Sequence, residues 1–282
     1  MIDMRKYIVA ILLMLEFIPA KSQYWFDEPI INLDSAQIQV MYQLTYVDDT
    51  NHVNFKKQEK QILITGYEAS CYQSYNHHKL HSIGRQKQLE GNLMEWMQGG
   101  LSAAEFSCEF SYIIYKKHRG DTIITTDRVF TIGSFRYEED KSCFNWEITQ
   151  DTATIHGYVT QKAVCDFGGR CWEAWFTAEI PISDGPYKFC GLPGLILKIE
   201  DTKGHYVFEM TSVEAVEKGA MVEYLDREDY IMTTKKKFFK VLDDSNKNLV
   251  NKVREAGGDA STAHRVNEYE ISKNNPLELD RK

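Results

Sequence analysis

From Ala36 to Asp49 the chain reads AQIQVMYQLTYVDD, with apolar side chains at every second residue: Ile38, Val40, Tyr42, Leu44 and Tyr46. Period two places them on one face of a strand whose other face is polar. KQILITGYEASCYQSY (60–75) continues as a second strand and a polar break. Asn76–Phe106 has only a weak helical pattern, much polarity and Gly99-Gly100, which predicts a loop with short helices. EFSYIIYKKH (109–118) and TIITTDRVF (122–130) flank Arg119-Gly120-Asp121, so the tripeptide is read as a hairpin turn. Asn145–Ile182 divides into three strands, with turns expected at Gln150-Asp151 and at Phe167-Gly168-Gly169-Arg170. LILKIED (195–201) and HYVFEMTSVEAVE (205–217) form another hairpin, with Leu195, Leu197 and Ile199 on one face. From Thr233 the spacing changes to that of amphipathic helix over 233–257, opened by a Thr cap and closed by Gly257-Gly258, before a polar tail.

This order of strands, irregular insert, strands and helices predicts a β-dominated α+β fold. The expected architecture is a curved, mostly antiparallel sheet, a half-open barrel, with short helices in the insert and near the C-terminus. With 282 residues and 43% hydrophobic content, one sizeable core is expected.

The first residues alter the picture. Arg5 and Lys6 precede an apolar run from Tyr7 to Leu15, and Pro19 and Ala20-Lys21-Ser22 follow. That is the layout of a cleaved signal peptide, residues 1–22, and the run is too short to span a bilayer comfortably. The expectation is an exported single domain, 23–282, in the periplasm or outside the cell and not membrane-spanning. Cleavage removes three basic and two acidic residues, so the mature chain carries nine more acidic than basic side chains. A chain of that charge without a basic block is a poor nucleic-acid binder. Lys235-Lys236-Lys237 is accordingly read as a solvated helix face.

Six cysteines, at 71, 108, 143, 165, 171 and 190, suit disulfides in an exported protein. If the turn between Cys165 and Cys171 has two residues, the two thiols fall on opposite sheet faces. If it has three, they lie directly across from each other, and a Cys165–Cys171 bridge is expected.

In GPYKFCGLPGLILKIED (185–201), Leu192-Pro193-Gly194-Leu195 has the residues of a type II turn, with Pro second and Gly third. This corner would return the chain from the strand ending near Ile182 to the one starting at Leu195. Gly191-Leu192-Pro193-Gly194-Leu195-Ile196 also resembles the hexapeptide that names the GLPGLI family, exported proteins found mostly in Bacteroidota. Trp146, Gly157-Tyr158, Lys162-Ala163, Gly169-Arg170, Ala174-Trp175, Glu179-Ile180-Pro181 and Gly185-Pro186 extend the resemblance over about Asn145–Phe208. It is weaker at Tyr42–Asp49 and around Ser70, and the ending Asn275-Pro276-Leu277-Glu278-Leu279 is similar too. Thr160 stands where family members often carry Cys, so no disulfide pairing is carried over. The resemblance implies an exported β-rich protein and no reaction.

Candidate chemistry is sparse. His77, His78 and His81 form H-H-x-x-H, a spacing at which imidazoles on a helical turn can share a metal. The Glu of H-E-x-x-H is absent, and the segment is read as a solvated loop, with no metal or cofactor expected. Arg170, Trp172, Ala174 and Phe176 share one face of a strand, while Glu173, Trp175, Thr177 and Glu179 share the other. Tyr158, Arg170, Trp172 and Trp175 are the candidate binding residues, either core or an aromatic platform. Glu173 and Glu179 would be about 20 Å apart along a strand, too far for a glycosidase acid pair. The expectation is a non-enzymatic binding or accessory protein of the Gram-negative envelope. Its partner would be an outer-membrane or envelope protein, or a small hydrophobic, peptide or glycan ligand. The alternatives are a secreted hydrolase built on Glu173 or Glu179 and a purely structural envelope protein.

Overall fold

The computed structural model of the chain describes residues 29–98, 106–129, 132–248, 251 and 273–281. The expected signal peptide, residues 1–22, and the expected Gly257-Gly258 stop lie outside the described residues. Fourteen strands and three short helices are present among them. They are β1 (Ile30–Ser35), β2 (Ile38–Tyr46), β3 (Lys57–Thr65), β4 (Ala69–Ser74), α1 (Tyr75–Leu89), α2 (Leu93–Gln98), β5 (Ile113–Lys117), β6 (Thr122–Val129) and β7 (Gly133–Asp140). Then come β8 (Glu147–Ile155), β9 (Tyr158–Phe167), β10 (Arg170–Thr177), β11 (Leu195–Asp201), β12 (Tyr206–Ala215), β13 (Met221–Leu225), β14 (Ile231–Met232) and α3 (Lys235–Lys247).

Twelve strands form one curved sheet in the order β14-β7-β6-β5-β4-β3-β2-β12-β11-β10-β9-β8. Every pairing in it is antiparallel except β14 with β7. The sheet does not close into a barrel, and 46% of the described residues are strand. This is the β-dominated, half-open architecture expected from the alternation. β1 and β13 pair separately as a two-stranded ribbon. The ribbon covers one face of β4 and β5, where Cys71, Ile113 and Tyr115 pack on Val222 and Tyr224.

The main core lies on the other, concave face. Val40, Tyr42, Leu44 and Tyr46 of β2 point into it, as their period-two spacing requires, beside Leu63, Trp172, Leu195, Leu197 and Phe208. Full burial of each such aliphatic or aromatic side chain contributes roughly 1.5–3 kcal/mol. The segment 184–192 fills the centre of the concavity: Tyr187, Phe189, Cys190 and Leu192 are all buried there. α3 packs over β6 and β7 through Phe238 and Phe239 against Val129, Phe135 and Tyr137. Its Thr234 cap accepts the Lys237 N–H, as the sequence suggested.

Several local expectations are corrected. The polar break at 66–68 is the turn of a β3–β4 hairpin, so SCYQS is itself a strand. The insert contains a 15-residue helix, α1, rather than a loop with short helices alone. It ends in a Schellman motif: Gly91, at φ +73°, donates to Gln88 O, and Asn92 donates to Lys87 O. Gln150-Asp151 is an irregularity inside β8, and the turn lies at His156-Gly157, both with positive φ. Such paired positive φ values mark a type I′ hairpin turn.

The Cys165–Cys171 bridge is corrected by the same geometry. Gly168 (φ +63°) and Gly169 (φ +74°) form a two-residue turn that pairs Cys165 with Trp172 and Cys171 with Asp166. Cys165 is therefore buried, Cys171 is exposed on the opposite face, and all six cysteines are free thiols.

The 192–195 corner is not a type II turn. Gly194 N–H bonds Leu192 O at 2.8 Å, a three-residue turn centred on Pro193, and Leu195 N–H bonds Ile180 O at 3.0 Å. Gly194 presses on the preceding strand, and a Cβ there would sit 2.0 Å from Thr177 O. The glycine is required by that approach as much as by its φ of +150°.

Candidate functional site

Alternation along β5 and β6 builds one wall of a cavity on the concave face. Tyr112, which precedes β5, shares that face with Ile114, and Thr125 shares it with Ile123 and Asp127. Tyr46 and Tyr206 arrive from β2 and β12, and Tyr187 arrives from the central segment. Phe239, Leu242 and Asp243 of α3 close one side, and the C-terminal segment 275–281 closes another. The cavity, partly open to solvent, has a volume of about 690 Å³.

Most polar groups around this space are already paired. Tyr187 OH donates to Glu278 Oε1 at 2.5 Å, Tyr206 OH to Asn275 O at 2.7 Å, and Lys188 Nζ to Tyr137 OH at 3.3 Å. Two groups are not. Tyr112 OH and Thr125 Oγ1 are buried on the cavity wall without a hydrogen-bond partner among the described residues. A buried hydroxyl left so costs about 1–3 kcal/mol. Asp127 lies two residues from Thr125, and its Oδ1 accepts Ser111 Oγ (2.6 Å) and Arg128 N–H (2.7 Å). Burial raises its carboxyl to about 6, against the opposing effect of the Ser111 hydrogen bond.

Beneath the cavity floor lies an ion cluster whose centre, Lys188 and Glu278, is fully buried. Lys188, with no exposed surface, pairs with Glu278 at 2.6 Å and with Glu139, and Lys235 reaches both carboxylates. The lysines hold Glu278 down at about 2 although burial alone would raise it. A second cluster joins Lys116 to Asp184 (2.5 Å) and Asp184 to His118 (3.1 Å). Lys116 also donates to the carbonyls of Gly185 (2.7 Å) and Tyr187 (3.0 Å) and so fixes the central segment. Burial penalises the Asp184 charge, but Lys116 and His118 hold its carboxyl well below the usual range.

The four predicted binding residues do not form one surface. Arg170 and Trp172 face the core. Arg170 donates to Asp201 (2.7 Å), Asn275 Oδ1 (2.6 Å), Pro276 O (2.7 Å) and Leu277 O (2.9 Å), which ties the C-terminal segment down. Trp172 is wholly buried, its Nε1 donating to Phe167 O. Tyr158 is half-buried against the same core. Trp175 lies on the opposite face beside Lys162. Gly191–Ile196 serves the core: Leu192, Leu195 and Ile196 are buried, and Trp146 donates to Cys190 O at 2.8 Å.

Glu173 pairs with Lys162 at 2.9 Å, Glu179 accepts the Val159 N–H at 2.8 Å, and neither lines the cavity. The histidines lie on α1, not in a loop. His77 and His81 have ring centroids 4.4 Å apart, and burial, with a smaller contribution from neighbouring imidazoles, pushes them down to about 4 and about 3. The sequence reading missed Tyr112, Thr125 and Asp127. The available signal was the alternation Ile123, Thr125, Asp127, which puts two polar residues on the inward face of a strand.

The fold and the cavity together define a β-rich protein with an open, curved sheet and a tyrosine-lined hollow. Residues 170–198 match the model of a family described as a protein of unknown function (Porph_ging). The hexapeptide 191–196 falls inside that stretch. No curated protein matches the chain in sequence. Among solved structures, PNGF-II in its P2₁ crystal form is similar with a TM-score of 0.52 at 14% identity. The C2 form gives 0.49 at 16%. The alignments cover 75% of this chain but 34% and 32% of the PNGF-II chain, so this chain spans about a third of that protein's length. At this identity the likeness is one of fold.

Proposed function

We propose that the mature chain, residues 23–282, is an exported, non-enzymatic binding or accessory protein of the Gram-negative cell envelope. It belongs in this reading to the GLPGLI group, works in the periplasm or outside the cell, and forms a single domain. Its ligand, a hydrophobic peptide, lipid or glycan, sits in the concave-face cavity. One observation carries the reading: a hollow of about 690 Å³ whose wall presents two buried hydroxyls, Tyr112 and Thr125, with no hydrogen-bond partner among the described residues. The lining combines seven aromatic rings with nine charged side chains, and a pocket of this size suits a small ligand. The layout of residues 1–22 supports export. No helix among the described residues is long and apolar enough to cross a membrane.

The test is a binding screen of mature protein against peptides, glycans and lipids, with Thr125→Trp as the blocking variant. Saturable binding by the wild type that Thr125→Trp abolishes, with the fold retained by circular dichroism, supports the reading. Equal binding by both proteins overturns the cavity as the site.

A second reading, a hydrolase, is favoured by Asp127 alone. A cavity carboxyl raised to about 6 is suited to general acid work near neutral pH. Turnover of a bound ligand that Asp127→Asn abolishes while binding persists would select it.

A further inference from the structure

On the face of β4 opposite the cavity, α1 carries a separate arrangement that the proposed function does not use. His77 and His81 are four residues apart and therefore share one face of the helix. Their ring centroids are 4.4 Å apart, inclined at 46°. An imidazole nitrogen binds a divalent transition metal at about 2.0–2.1 Å, which puts the ring centre ~3.2 Å from the ion. Two such rings in adjacent, roughly right-angled positions then have centres ~4.5 Å apart, the separation expected for tetragonal Cu²⁺ or Ni²⁺. The observed pair has that separation already.

A further contact sets the chemistry of one ring. His77 Nδ1 lies 3.0 Å from Gln73 Oε1, while Gln73 Nε2 donates to Cys71 Sγ at 3.6 Å. The amide oxygen can only accept, so Nδ1 carries the proton and Nε2 holds the lone pair. A ligating histidine fixed through its other nitrogen is the usual outer-shell device of metal sites. Both residues are only partly buried. Arg85 and Arg227, the cations whose charge acts on His81, are paired with Glu223 (2.8 Å) and Asp229 (3.0 Å). Among the described residues no three His, Cys, Asp or Glu side chains group to hold an ion, so water must complete the shell.

We propose that His77 and His81 form a two-histidine site on α1 for a divalent transition metal, Cu²⁺ or Ni²⁺, with Gln73 fixing the ligating tautomer of His77. The site is surface-accessible and independent of the cavity.

The test uses untagged mature protein and substoichiometric Cu²⁺, followed by electron paramagnetic resonance and competitive titration. The proposal expects one tight site whose spectrum shows two equatorial imidazole nitrogens. His77→Ala and His81→Ala should each weaken it at least tenfold and remove the two-nitrogen pattern. Gln73→Ala should weaken it by about 10–100-fold with both nitrogens kept. His52→Ala and His156→Ala, at exposed positions, should leave it unchanged. Ni²⁺ titration with the same variants guards against copper reacting with thiols. Absence of binding to the wild type with either ion, or a signal unaltered in His77→Ala and His81→Ala, would overturn the proposal.

Discussion

Truncating Glu278 tests the ion cluster that joins the C-terminal segment to the sheet. Its side chain is 1% exposed and neutralises Lys188, which is 0% exposed. It also pairs with Lys235 and accepts the Tyr187 hydroxyl. Glu278→Ala removes one of the two carboxylates on Lys188 and leaves Glu139 to balance two lysines. Breaking a buried pair from one side costs about 3–5 kcal/mol, because the remaining ion stays desolvated. In a domain of this size each 1 kcal/mol is worth about 2–4 °C, so Tm should fall by roughly 6–20 °C. Urea unfolding followed by tryptophan fluorescence measures the loss directly. The double variant Lys188→Met/Glu278→Leu should recover most of it, since both charges leave together. A pH series adds an independent check with a defined sign. The folded-state carboxyl is depressed, from 4.5 to about 2, so its contribution is complete above about pH 4.5 and disappears as pH falls towards 2. Glu278→Ala should therefore lack that part of the acid-side loss. A fall in stability below about 1 kcal/mol, with an acid profile identical to the wild type, would refute the reasoning, because exposed pairs cost no more than that.

Other substitutions separate the remaining features. Gly194→Ala puts a methyl group 2.0 Å from Thr177 O and should cost about 3 kcal/mol or more, measured by denaturant midpoint; a neutral effect would contradict the close approach. Trp172→Ala should cost about 3–5 kcal/mol and Trp175→Ala much less, and equal losses would contradict their placement on opposite faces. Asp127 is raised in the folded state, so its destabilising effect grows as pH rises from about 4 to 6. Asp127→Asn should accordingly gain stability relative to the wild type at pH 7.5 compared with pH 4, and the reverse trend would contradict the raised carboxyl. Non-reducing peptide mapping should find no peptide linking Cys165 to Cys171, and recovery of that crosslink would contradict the two-residue turn.

Strand positions on a face that meets only one environment were legible in the sequence. Val40, Tyr42, Leu44 and Tyr46 alternate cleanly because β2 has one buried face, and they are buried as predicted. The β5–β6 and β11–β12 hairpins were legible for the same reason. β7 was not, because GSFRYEED has few apolar residues and gains its place by pairing with β6 and packing Phe135 and Tyr137 under α3. α1 lacks a strong apolar stripe, and its clearest marker was the Gly91 that ends it. Turn register escaped for a different reason. Two- and three-residue loops both fit CDFGGRC, and the choice depends on backbone φ at Gly168 and Gly169 and on the C-terminal segment docked against them. There Leu279 N–H bonds Gly168 O at 2.6 Å. The cavity was the least visible feature. Tyr112, Thr125, Tyr187 and Tyr206 are far apart in sequence, and their meeting depends on the sheet's curvature and on Lys116 anchoring the central segment. The charged residues Lys188 and Glu278, 90 positions apart, read as surface until the fold buries both.

Whether the cavity holds a ligand is tested most directly by native mass spectrometry of the protein purified from its native cells. The account predicts an added mass that is lost on denaturation and is absent from Thr125→Trp prepared in the same way. A bare wild-type mass, together with no saturable uptake of peptide, glycan or lipid, would contradict it.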